Sequence, residues 1–62
     1  MNLQCVITDD EPIALEILED YINMVPGLQL AAKCKNAMET LTVLRQSRVD
    51  ILFIDIKLKK ES

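Results

Sequence analysis

Apolar and polar residues in this chain fall into five segments whose spacing changes from one to the next. Leu3 to Thr8, centred on Cys5, Val6 and Ile7, predicts a short buried strand. Asp9-Asp10-Glu11-Pro12 breaks it and predicts a loop followed by a helix start, because proline is at home in the first helical turn. From Ile13 to about Val25, Ala14, Leu15, Ile17, Leu18, Tyr21, Ile22 and Val25 recur at helical spacing, and Glu16, Glu19, Asp20 and Asn23 take the other face. Pro26-Gly27 ends that helix. Leu28 to Lys33 then alternates, the mark of a strand with one wetter face, as at a sheet edge. Asn36 and Glu39 resemble a capping box and open a second helix, from Ala37 to Gln46 or Ser47. Ile51-Leu52-Phe53-Ile54 is apolar without alternation, which suits a strand covered on both faces, and Asp55 closes it. Beyond Leu58 the polar residues 59–62 are expected to fray.

The order β-α-β-α-β, with each crossover long enough for a helix, predicts an α/β unit of parallel strands joined by right-handed connections. With the helices on opposite faces, the first strand lies between the others and the sheet order is 2-1-3. The carboxyl ends of the first and third strands are then neighbours, so Asp9 and Asp10 meet Asp55 at the edge of an α/β sheet where ligands gather. Capping and turn formation account for one or two of these acids. They account less well for three, since adjacent like charges repel and one cap is sufficient. Carboxylates this close need a cation, and Mg²⁺ takes oxygen ligands while keeping several waters.

Composition narrows the function. At 62 residues the chain is at most one small domain, of a size that buries only about 60% of its unfolded surface. Half of its residues are hydrophobic, enough for a core. Tyr21 and Phe53 are the only aromatics, the net charge is −3, and the seven basic residues are dispersed, so neither stacking platforms nor a basic patch points to nucleic acid. Cys5 and Cys34, with no histidine and no C-x-x-C pair, read as buried free thiols rather than as a zinc site or a disulfide scaffold. The N-terminus lacks a signal-peptide pattern and no apolar run approaches the roughly 18 residues of a spanning helix, so a soluble cytoplasmic protein with no membrane partner is expected.

With these residues in place the chain resembles the receiver domains of two-component response regulators. Val6-Ile7-Thr8-Asp9-Asp10-Glu11-Pro12 is similar to that family's acidic-pair loop, and Ile51-Leu52-Phe53-Ile54-Asp55-Ile56 to its phosphoacceptor strand. The spacing between them and the Asn36 helix start agree, and the likeness runs to about Leu58, with a flavour similar to LytTR-type receivers. It implies a partial flavodoxin-like unit. By resemblance, Asp55 takes a phosphoryl group from a sensor histidine kinase, a phosphoacceptor role rather than that of an enzyme. Asp10 and Asp55 would ligate Mg²⁺ with the main-chain carbonyl of Lys57, and Asp9 would act directly or through water.

The departures shape the expectation further. Family receivers are about twice as long and carry a hydroxyl residue and a lysine on later strands, and Lys59 stands where proline is usual after the third strand. Residues 1–58 therefore read as the N-terminal half of a receiver and 59–62 as a polar tail. Its third strand becomes an apolar edge, and a homodimer through that edge is expected. A non-catalytic interaction module is the alternative function. An aspartyl phosphatase would need an aspartate at position 57, which is lysine.

Overall fold

The computed structural model describes residues 2–55, and the expectations on Ile56 to Ser62, including Lys57 as a ligand and the polar tail, lie outside the described residues. Five elements follow in the expected order: β1 (Leu3–Thr8), α1 (Pro12–Met24), β2 (Leu28–Cys34), α2 (Ala37–Gln46) and β3 (Ile51–Ile54). The strands form one parallel sheet in the order β2-β1-β3. This is an α/β, receiver-like partial unit.

Side-chain alternation along β1 divides the molecule into two faces. Cys5 and Ile7 point to α1 and form the core with Leu15 and Ile22, joined by Leu18, Leu28, Leu30 and Ile51. Val6 and Thr8 point to α2, where the Thr8 and Thr40 hydroxyls, both buried, lie 2.6 Å apart. Thr40 Oγ1 donates to the Asn36 carbonyl at 3.0 Å, so the Thr8 hydroxyl donates to Thr40.

The β2 alternation is real, but it does not keep one face. Cys5 pairs with Leu30 and Val6 with Ala32, which leaves Ala31 as a bulge. A one-residue shift turns every later side chain over. Leu28 and Leu30 therefore face α1, whereas Ala32 and Cys34 pair with Val6 and Thr8 on the α2 side. Lys33 comes round to the α1 face and its Nζ meets Glu19 Oε1 at 2.9 Å.

Local sequence accounts for the turns. The Val25 backbone is extended, as the residue before proline prefers, and Val25 O accepts from Leu28 N across Pro26-Gly27. Gly27 has φ +90°, the positive value that the third position of a type II turn requires. Its carbonyl accepts from Leu3 N at 2.7 Å, so the turn also starts the β1–β2 ladder. At α2, Asn36 Oδ1 accepts from Glu39 N as in a capping box, but Glu39 Oε1 accepts from Lys35 N rather than from the cap residue itself.

One expectation needs correction. Ile51 to Ile54 is not covered on both faces: Phe53 is 38% and Ile54 52% exposed. Both helices pack over β1 and β2, and among the described strands β3 pairs only with β1. The apolar run is an edge strand whose outer side nothing described here occupies. Cys5 and Cys34 are, as expected, buried free thiols, and they lie on opposite faces of the sheet.

Candidate functional site: the acidic crevice at the carboxyl end of the sheet

The three strands deliver their last residues to one end of the sheet. Asp9 follows β1 and is held by both neighbours of that loop: its amide donates to Cys34 O at 3.0 Å, and its Oδ1 accepts from Glu11 N at 2.9 Å. It is 6% exposed. Asp55 follows β3, and its amide donates to Thr8 O at 3.1 Å, extending the ladder one step beyond the strand. Thr8 is thus a junction, tying β3's end through its carbonyl and α2 through its hydroxyl.

Between α2 and β3 lies an open crevice of about 480 Å³, and Asp9, Asp10 and Asp55 all border it. A second opening, of about 440 Å³ on the α1 side, is also bordered by Asp9 and Asp55. The two aspartates therefore sit at the top of the sheet where both openings meet, Asp55 exposed and Asp9 buried. Below them both walls are apolar, with Leu41, Leu44 and Leu52 on one side and Ile17, Leu18 and Phe53 on the other.

Capping explains less of this acidic group than residue type suggests. The N-cap of α1 is Glu11, whose side chain caps no helix N–H, and the first turn of α1 holds no acid. Asp9 shapes the loop through its bond to Glu11 N, in the manner of an Asx turn. Asp10 is exposed at the crevice mouth.

Lys35, Asn36 and Thr40 complete the opposite wall and were not singled out as site residues from the sequence. The signal was available: β2 is parallel to β1, so the loop that follows Cys34 must open at the same end. Lys35 is the one cationic residue that borders the crevice among the described residues, and it faces a rim of three acids.

The donor chemistry of this rim is all oxygen, which suits a hard divalent cation. Among the described residues no three His, Cys, Asp or Glu side chains already form a group set to hold a metal ion. An ion here would draw on few protein ligands and keep much of its water, as Mg²⁺ commonly does.

Comparisons with known proteins agree in kind. The chain is 33% identical over 58 residues to an uncharacterized response regulatory protein of Yersinia pestis, covering 94% of this chain and 24% of that protein. It is 32% identical over 60 residues to the transcriptional regulatory protein BtsR of Escherichia coli K12, covering 97% of this chain and 25% of BtsR. It is 35% identical over 60 residues to the sensory transduction protein LytR of Staphylococcus saprophyticus, covering 97% of this chain and 24% of LytR. The chain is a response-regulator homologue. It spans about a quarter of the length of these relatives. No protein-family model matches the chain, and no solved structure matches it. Among the described residues of this response-regulator homologue, no helix is long and apolar enough to cross a membrane.

Proposed function

We propose that the chain is the phosphoacceptor part of a receiver domain, in which Asp55 accepts a phosphoryl group from a histidine kinase of a cytoplasmic two-component system. The observation that carries this reading is the placement of Asp55 beside Asp9 and Asp10 on one crevice, at the ends of adjacent parallel strands. Homology to response regulators supports the signalling role, and the similarity to LytR favours a LytTR-type regulator.

In this reading an Asp55 carboxylate oxygen attacks the phosphorus of the kinase phosphohistidine. An O–P bond forms, the P–N bond breaks, and the imidazole nitrogen leaves with the electron pair. The bond from Asp55 N to Thr8 O fixes where the β3 end stands, and Asp9, anchored at Cys34 and Glu11, holds the adjacent acid in place. Asp10 and Asp55 would hold Mg²⁺, with Asp9 acting directly or through water, and the ion when bound neutralises the repulsion between carboxylate and phosphoryl oxygens. Lys35, on the opposite wall, adds a positive charge to the approach.

Incubation with Mg²⁺ and acetyl phosphate, followed by intact-mass measurement, tests the reading. A single phosphoryl adduct that requires Mg²⁺ and is lost in Asp55→Asn is expected. An unmodified mass, or an adduct that persists in Asp55→Asn, would remove it.

The exposed Phe53 and Ile54 favour a second reading, that of an assembly module in which copies join along β3 with no phosphoryl transfer.

A further inference from the structure

We propose that Thr40 is a positioning residue for the acidic rim: through the Thr8 hydroxyl it fixes the peptide unit on which both Asp9 and Asp55 depend. The inference rests on the reading of that rim as a divalent-cation site and adds the residues that hold it in shape.

The Thr8–Asp9 peptide unit is the joint of the site. Its carbonyl accepts from Asp55 N at 3.1 Å and its N–H, that of Asp9, donates to Cys34 O at 3.0 Å, so one planar group ties β3 on one side and β2 on the other. Both bonds run between strands, in the plane of the sheet. They resist sliding of the strands and leave the unit free to tilt out of that plane.

The tether across the plane is the Thr8 side chain. Its hydroxyl donates to Thr40 Oγ1 at 2.6 Å, and Thr40 Oγ1 donates in turn to Asn36 O at 3.0 Å. Thr8 and Thr40 are 7% and 5% exposed. A hydrogen bond has a preferred direction, which contact between methyl groups lacks. The relay ends at Asn36, the N-cap of α2, so the start of that helix is registered on the strand end that carries the acids.

Stability alone does not account for two hydroxyls here. Thr8 follows the fully buried Cys5, Val6 and Ile7, and valine has nearly the shape of threonine. Exchanging both partners of a buried hydrogen bond for apolar groups of the same shape is close to neutral, whereas removing one partner leaves the other unsatisfied. What the pair adds is a fixed orientation. A cation held by few protein ligands depends on such outer contacts, because a small displacement of one ligand spoils the geometry.

The double variant Thr8→Val/Thr40→Val of the 62-residue chain tests this, with urea titration, an Mg²⁺ titration and amide exchange followed by NMR. The urea midpoint should stay close to that of wild type. Mg²⁺ affinity, read from the amide shifts of Asp9, Asp10 and Asp55, should fall by about tenfold. Without metal, the Asp55 amide should lose protection while Val6 and Ile7 keep theirs. Thr40→Ser, which retains the hydroxyl, should bind Mg²⁺ nearly as wild type does. An unfolded or strongly destabilised double variant would show that the pair serves stability and overturn the proposal. So would unchanged Asp55 exchange, unchanged Mg²⁺ affinity, or a Thr40→Ser variant as impaired as the double. A wild type that binds no Mg²⁺ would instead remove the cation reading of the rim, and the metal-free exchange at Asp55 would still decide the role of Thr40.

Discussion

Asp50 does at the entry of β3 what the Asp55 amide does at its exit. Its amide donates to Gln4 O at 2.8 Å, and its Oδ2 accepts from Gln4 N, also at 2.8 Å. A charged acceptor for a backbone amide contributes on the order of 1–3 kcal/mol, so Asp50→Ala should lower the unfolding free energy read from urea titration by at most an amount of that order. Asp50→Asn should lower it less, since one acceptor oxygen is kept. Lys33 offers a pH test. The hydrogen bond to Glu19, then the charge of Glu19 and more weakly that of Glu16, raise the Lys33 pKa above its ordinary 10.5. A raised folded pKa means that the stabilisation is complete below 10.5 and is lost as pH climbs through the folded value. The stability advantage of wild type over Glu19→Gln should therefore be flat near neutrality and shrink in strongly alkaline solution. It should be small throughout and smaller in high salt, because the pair is exposed.

The elements differ in how they are secured. The start of α2 is closed by two side-chain bonds, from Glu39 N to Asn36 Oδ1 and from Lys35 N to Glu39 Oε1. Asn36→Ala removes the first and should cost about 1 kcal/mol in chemical denaturation. Because Asn36 and Lys35 also border the crevice, the same change should loosen that wall, read as faster amide exchange in the first turn of α2. α1 has no such side-chain cap and relies on Pro12 and the Asp9 turn before it. Element limits were nearly all legible in the sequence, since proline, glycine and caps act on their immediate neighbours. Helix α1 is Pro12–Met24 against the expected Ile13 to Val25, and β2 runs one residue further, to Cys34. The Ala31 bulge was not legible, because strict alternation in residue type looks the same whether or not the pairing slips.

At the scale of the whole molecule, the sheet is covered asymmetrically. Both helices stand over β1 and β2, so the fully buried core is limited to Cys5, Val6, Ile7 and Cys34, and β3 depends on one neighbour. Association along β3 would add to this small core only in the assembled state. The melting temperature should then rise with protein concentration for the wild type and be independent of it for Ile54→Lys, as mass action requires. Of the crevice, Asp9, Asp10 and Asp55 were legible because strand ends in a parallel sheet share one side. The opposite wall was legible only in part: a parallel β2 puts Lys35 and Asn36 at the same end, whereas packing of α2 against β1 is what brings Thr40 there.

The sequence by itself determined the five elements, their parallel order and the end of the sheet at which the acids collect. These depend on spacing, on breakers and on the length of the crossovers, all local properties. Only the tertiary structure decided that Lys33 turns to Glu19, that Leu30 and Ala32 part to opposite faces, and that Phe53 and Ile54 stand half open. An apolar run records what a strand can bury; whether a neighbour is there to bury it depends on residues far away along the chain.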